Sequence, residues 1–280
     1  MENKRILVIG GAGYIGREVV KCLEAEGFTV TVLLREKLSG YEKKHIICDL
    51  LDKECLRKNI NDFDVVINLA AIVRTIYKSR YKDNLAGLKN LIDVLKEKHI
   101  NKLVYFSTQN VNIKNKGPYA KSKSDCENLL KNSGLSCIII RPNLVYGIDK
   151  ENDFFRLIKL ISKFRIAPII GSGENKFQPI LKNDLAKITA DLIKNYTPGV
   201  VEISGDETIS INQVVSKICQ ALNISVGKLH IPAAWLKILR AIIPFDIDGY
   251  EENKISANAI KGETHFFNNL NAIVCLYEKK

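Results

Sequence analysis

Short apolar runs alternate with helix-periodic segments from the start of the chain. Arg5 to Ile9 reads as a buried strand, Ile15 to Glu26 as a helix with Val19, Val20 and Leu23 on one face, and Thr29 to Leu34 as a second strand. His45 to Cys48, Val65 to Leu69, Leu103 to Ser107 and Ser136 to Ile140 are further strand candidates. Between them, Leu85, Leu88, Leu91, Ile92 and Leu95 mark one helix, and Cys126, Leu129 and Leu130 another. Strands separated by helical crossovers predict an α/β chain with a parallel sheet covered on both faces.

The rhythm changes after Gly147. A helix over Phe154 to Phe164 is followed by a Pro- and Gly-containing stretch from Pro168 to Pro179, then a helix from Asn183 to Lys194. One more strand (Val200 to Ile203), a helix from Ile211 to Leu222, an amphipathic segment near Trp235 and an apolar helix around Leu270 to Tyr277 complete the pattern. The division expected is a nucleotide-binding domain over residues 1–147, rejoined by 178–203, and a substrate lobe from 148–177 and 204–280.

Composition narrows the partners. Of 280 residues, 46% are hydrophobic and 26% charged, ordinary for a globular chain with a sizeable core. Forty-two Lys plus Arg against thirty-one Asp plus Glu give a net charge of +11, which suits anionic partners. The lysines are scattered, with no basic stripe interleaved with aromatics, so nucleic acid is not expected. Seven cysteines without CxxC spacing read as reduced thiols, which places the protein in the cytoplasm. The four histidines stand apart from the cysteines and from one another, so no metal is expected. The apolar run Ile6 to Ile9 is too short for a secretory signal, and Ile231 to Phe245, broken by Lys237 and Arg240, is too short to span a bilayer.

The chemistry begins at Gly10-Gly11-Ala12-Gly13-Tyr14-Ile15-Gly16, between the first strand and the first helix. Gly10 permits a tight turn, Gly13 leaves room for a dinucleotide, and Gly16 lets the helix pack close, so backbone amides meet a pyrophosphate at a helix N-terminus. The residue closing the second strand selects the cofactor: Arg35 suits the 2′-phosphate of NADP, whereas Glu36 beside it suits the ribose hydroxyl of NAD. NADP is favoured and NAD stays open. Tyr119 and Lys123 lie four apart on one helical face, where the ammonium favours the phenolate and readies it for proton exchange with a substrate hydroxyl or carbonyl. Ser107-Thr108, at the end of the preceding strand, adds a hydroxyl for the same substrate oxygen.

With these residues in order, the sequence resembles the extended short-chain dehydrogenase/reductase family, the NAD-dependent epimerase/dehydratase group. Gly10 to Gly16 is similar to the family's glycine motif, including Tyr14 and Ile15, and Asp49-Leu50 to the start of its adenine-contacting segment. Leu69, Ala70 and Ala71 after Asn68 resemble the strand-four motif beside the cofactor, and Asn84, Gly87 and Asn90-Leu91 the dimer-helix motif. Ser107-Thr108-Gln109-Asn110-Val111 resembles the Ser-Thr-x-x-Val block, Arg141-Pro142-Asn143-Leu144-Val145-Tyr146-Gly147 the strand-six exit, and Asp184-Leu185-Ala186 the acidic start of a later helix. The resemblance implies a Rossmann doubly wound parallel sheet with a small C-terminal α/β substrate lobe. It also implies Tyr119 as general acid/base, Lys123 on the cofactor ribose, Thr108 on the substrate oxygen, Pro142 near the cofactor, and a homodimer through 84–98 and 119–131.

Departures from the family pattern shape the expected substrate. Leu144 stands where an asparagine for substrate phosphates is usual, and Phe177, next to Lys176, where an arginine is usual. Asn143 and Lys176 remain as candidate replacements. Gln109-Asn110 stands where dehydratases carry acids, which favours redox or epimerisation over elimination. The substrate expected is a small molecule bearing a hydroxyl or keto group, either sugar-nucleotide-like or more apolar and lipid-linked. The segment 230–245 stays open between core helix, lid and peripheral membrane contact. The alternative reading is a non-catalytic sensor or assembly subunit that keeps fold and cofactor.

Overall fold

The computed structural model describes residues 4–73, 75, 77–232, 235 and 252–278. Its centre is an eight-stranded sheet built from β1 (Arg5–Ile9), β2 (Thr29–Leu34), β3 (His45–Ile47), β4 (Val65–Asn68), β5 (Lys102–Phe106), β6 (Ser136–Pro142), β11 (Gly199–Ser204) and β14 (Ile260–Lys261). The order is β14-β11-β6-β5-β4-β1-β2-β3, and every pairing is parallel. Parallel strands need crossover helices, which cover both faces, so β1, β4 and β5 are nearly all apolar.

Helices α1 (Gly16–Ala25) and α6 (Lys182–Lys194) close one face, burying Val19, Val20, Leu23, Leu185, Ala190 and Ile193 against the sheet. On the other face, α2 (Lys53–Asn59), α3 (Lys82–Glu97) and α4 (Pro118–Lys131) bury Leu56, Leu88, Leu91, Leu95, Cys126 and Leu130. A third core belongs to α5 (Asp153–Phe164), α7 (Ile211–Ala221) and α8 (Phe266–Glu278), centred on Phe154, Ile158, Val214, Ile218, Phe266 and Ile273. Small two-stranded pairings frame that core: β7 (Val145–Tyr146) with β10 (Ile180–Leu181), β9 (Lys176–Phe177) with β12 (Ile209–Ser210), and β8 (Ile166–Ile170) with β13 (Gly227–Ile231).

The Pro- and Gly-containing stretch from Pro168 to Pro179 begins inside a strand, since Ile166 to Ile170 pairs in parallel with Gly227 to Ile231. One expectation is revised: the structure joins Cys48 to Cys55, where free thiols were expected. The Asp52 side chain caps the Cys55 N–H at 2.9 Å and folds α2 back on the end of β3, leaving the two Cα atoms 5.9 Å apart, within disulfide span. Most of the segment 230–245, with its three competing readings, lies outside the described residues; Trp235 is described and exposed.

Candidate active site

The strand order reverses between β1 and β4, and the crevice at the C-terminal ends of these strands is where a doubly wound sheet receives its ligand. Gly10 leaves β1 with φ +81°, and a Cβ there would lie 2.8 Å from the backbone nitrogen of Ala70. A Cβ on Gly16 would strike the Gly10 carbonyl. The Gly13 N–H donates to the Gly10 carbonyl at 3.0 Å, and Ile15 holds the N-cap of α1 with no side-chain cap. Within the first turn of α1 the Arg17 N–H already donates to the Gly13 carbonyl at 3.0 Å and the Glu18 N–H to the Ile15 carbonyl at 3.1 Å, so it is the close-packed glycine turn at the positive end of the helix that fits a dinucleotide pyrophosphate.

Other candidate cofactor residues surround this loop. The Ala70 N–H donates to Asn68 Oδ1 at 3.0 Å, fixing the turn that carries Leu69, Ala70 and Ala71 out of β4. Asp49 Oδ1 accepts from the Leu51 N–H at 2.9 Å, and Asn90 holds the Leu50 carbonyl at 3.1 Å. Arg35, just beyond β2, is exposed and 3.7 Å from Glu36. Tyr14 lies beneath the Lys182 ammonium, 4.7 Å from the ring centroid; its burial, reinforced by the Asp149 carboxylate, raises its pKa far above the ordinary phenol value. Pro142 is buried at the end of β6.

The candidate catalytic residues come from β5 and α4. Thr108 follows β5 in extended conformation, and its Oγ1 accepts from the Asn110 N–H at 3.2 Å. Tyr119, in the first turn of α4, packs its ring 6.3 Å from Tyr81. Lys123 is only 2% exposed, donates to the Phe106 carbonyl at 2.6 Å and stands 4.5 Å over the Tyr105 ring. Burial lowers its pKa to about 8, with Cys126 and Glu127 opposing the shift.

What sequence reasoning missed is the frame that fixes this arrangement. Arg141 grips Glu127 with two hydrogen bonds, Nε to Oε1 at 2.9 Å and Nη2 to Oε2 at 2.5 Å, and the Ser107 hydroxyl donates to the same carboxylate at 2.5 Å. The end of β5, the end of β6 and the middle of α4 are thereby tied together one residue from Thr108. Asn84 of α3 bridges the loop after β4 to α4: it accepts from the Ile72 N–H at 2.7 Å and donates to Ser122 Oγ at 3.2 Å. Only the motif matches at Arg141 and Asn84 hinted at these contacts, since each links residues distant in sequence.

The two candidate substrate residues part company. Asn143 is buried and its amide is engaged within the protein, donating to Gln109 at 2.6 Å and to the Lys254 carbonyl at 2.8 Å and accepting from Leu144 and Gln178 N–H groups. The Lys176 ammonium sits 3.4 Å from Gln213 and lines a cavity of ≈ 340 Å³ with Glu174, Asn212, Lys217 and Phe267, to which none of Thr108, Tyr119 and Lys123 contributes. Where no metal was expected, Asp206, Glu207 and His265 bring one ligand atom each within 4.8 Å of one another. His265 Nδ1 pairs with Asp206 at 2.7 Å and Glu207 accepts the Phe267 N–H at 3.0 Å, so these groups also serve the start of α8.

A parallel doubly wound sheet with a tight glycine turn at its switch point defines a Rossmann-like α/β fold. The chain belongs to the NAD dependent epimerase/dehydratase family, which matches residues 6–204. It is 24% identical over 242 residues to the mitochondrial NADH dehydrogenase (ubiquinone) 1 alpha subcomplex subunit 9 of Dictyostelium discoideum, covering 81% of this chain and 66% of that protein. It is 25% identical to the decarboxylating sterol-4-alpha-carboxylate 3-dehydrogenase of Homo sapiens, covering 82% of this chain and 70% of that enzyme. The fold matches the crystal structure of Thermus thermophilus UDP-glucose 4-epimerase in complex with NAD, with TM-score 0.74, 22% identity, and 98% and 99% of the two chains covered. Among the described residues no helix is long and apolar enough to cross a membrane.

Proposed function

We propose that this chain is an NAD(P)-dependent oxidoreductase or epimerase acting on a hydroxyl or keto group through Thr108, Tyr119 and Lys123. The observation that carries the proposal is Lys123. An ammonium 2% exposed that donates to a backbone carbonyl is costly to bury, and its place one turn from Tyr119 gives that cost a purpose. With a pKa near 8 it remains largely cationic at neutral pH and stabilises a phenolate on the same helical face.

In this reading Gly10 to Gly16 and the start of α1 hold the pyrophosphate, and Lys123 holds the ribose. The nicotinamide supplies hydride acceptance or return when bound. Thr108 Oγ1 is oriented by the Asn110 N–H and directs its own O–H to the substrate oxygen. Tyr119 takes the proton from that oxygen as the carbon gives up hydride, or returns it in the reverse sense. Arg35 favours NADPH, and Glu36 is the residue that would serve NADH. The homodimer is proposed through α3 and α4.

Leu144 and Phe177, both partly accessible at positions where phosphate-binding side chains are usual in the family, support a substrate with an apolar body over a sugar nucleotide. The sterol dehydrogenase relative supports the same reading. The rival reading, a non-catalytic subunit, draws support from the relative named as a subunit of NADH dehydrogenase. Tyr119→Phe separates the two. Incubated with nicotinamide cofactors and a metabolite extract, the wild type is expected to convert at least one small molecule that the variant converts about 10²- to 10⁴-fold more slowly, with dinucleotide binding retained. Equal behaviour of the two proteins contradicts catalysis through Tyr119.

A further inference from the structure

Two cysteines bracket the segment assigned to the adenine end of the dinucleotide. Cys48 follows β3, Cys55 lies in the first turn of α2, and the disulfide between them closes a loop that carries Asp49 and Leu50. The Cys48 N–H donates to the Leu34 carbonyl at 2.8 Å, which sets Asp49 beside Arg35 at the C-terminal edge of the sheet, where a doubly wound fold receives its ligand. The other five cysteines, Cys22, Cys126, Cys137, Cys219 and Cys275, are free thiols. One local bridge in a chain that otherwise keeps its thiols matches a redox-responsive pair, whereas a disulfide framework uses most of its cysteines.

The bridge joins two units across Asp49. On one side α2 and α3 hold together: Lys53 pairs with Asp93 at 2.8 Å, Arg57 with Glu97 at 2.7 Å, and Asn90 of α3 donates to the Leu50 and Leu51 carbonyls at 3.1 and 3.2 Å. On the other side β3 is a three-residue strand at the edge of the sheet, paired with β2. Breaking the bond frees this short strand end to shift against α2, and the conformational freedom gained falls on the segment that a dinucleotide has to order when it binds. Cys48 is buried and Cys55 half-buried, so an incoming thiolate reaches Cys55 first. That thiolate bonds to the Cys55 sulfur as the Cys48 sulfur leaves as thiolate, and a second one then displaces the first from Cys55. Two electrons pass to the protein, two protons end on Cys48 and Cys55, and the two small thiols end as their disulfide.

We propose that Cys48 and Cys55 form a reversible redox site, exchanging with a small-molecule thiol/disulfide couple such as glutathione, whose oxidised form binds the dinucleotide more tightly. The proposal rests on the reading that the adenine sits at Asp49 and Leu50, and it does not depend on Thr108, Tyr119 or Lys123. The test poises the full chain in buffers of graded reduced and oxidised glutathione, alkylates the free thiols, quantifies the Cys48–Cys55 bridge by mass spectrometry, and titrates the bridged and reduced chains with NADPH and NADH. Reduction is expected to weaken both nucleotides by about fivefold or more and by the same factor, because both carry the adenine. By linkage, saturating NADPH is expected to raise the ratio of bridged to reduced chain, at a fixed buffer, by that factor. Cys55→Ser is expected to bind as the reduced wild type does and to ignore the glutathione buffer. Equal affinity of the two states, a bridge that does not form in oxidised glutathione, or a response that Cys55→Ser retains overturns this proposal alone. A reduced chain that has lost its fold by circular dichroism also overturns it, because the bridge is then a structural staple. Binding of neither nucleotide by either state overturns it together with the dinucleotide reading.

Discussion

Lys123 shows how one residue trades stability for chemistry. Its unfolded pKa is near 10.4, and burial lowers the folded value to about 8. Below pH 8 both states carry the proton and the fold bears the whole cost of burying it. Between about 8 and 10 the folded protein releases its proton first, so stability rises with pH through that window. Chemical denaturation of the cofactor-free protein is expected to show the wild type gaining on the order of 2 kcal/mol relative to Lys123→Met between pH 8 and 10. A difference that stays flat contradicts a buried, titrating Lys123. The same residue illustrates what the sequence discloses: its spacing from Tyr119 is plain, but its burial under Phe106 and Tyr105 depends on strand β5, whose pairing no local pattern reports.

At the scale of elements, the parallel strands were legible because strands covered on both faces read as continuous apolar runs. Helix α2 escaped notice because it is seven residues long with only Leu56 buried, and β13 because Gly227 to Ile231 mixes Gly, Lys and His with its apolar residues. The frame around Thr108 escaped for another reason. Glu127, Arg141 and Ser107 are separated by 14 to 34 positions and meet only when α4 packs beside β5 and β6. Glu127 is 2% exposed, and replacing it with Gln removes the carboxylate that grips Arg141 and leaves the guanidinium only Glu202, 3.5 Å away, for charge compensation. Glu127→Gln is expected to cost about 1.5 to 3 kcal/mol in urea unfolding, and a loss below about 0.5 kcal/mol contradicts this role.

For the molecule as a whole, the motifs along the chain point to the doubly wound sheet, while the small lobe emerges from pairings of two to five residues that carry little local signal. Association is a whole-molecule property. The outward faces of α3 and α4 carry Lys82, Lys89, Lys96, Lys121 and Lys131 against exposed Glu97 and Asp125, so the proposed dimer brings an excess of positive charge together. Sedimentation velocity is expected to show dimerisation strengthening as salt rises, and a monomer at every salt concentration contradicts the dimer.

A nicotinamide dinucleotide seated on the Gly10 to Gly16 turn is open to a fluorescence titration with NADPH and NADH of the wild type and of Gly13→Asp. Gly13 is exposed, and a Cβ there would meet only the Gly10 carbonyl, at 3.2 Å, so the variant keeps its fold and sets a carboxylate where the pyrophosphate belongs. The wild type is expected to saturate, with NADPH tighter than NADH, and a folded Gly13→Asp to bind at least about tenfold more weakly. A wild type that binds neither nucleotide, or a folded variant that binds as well as the wild type, contradicts this seating of the dinucleotide.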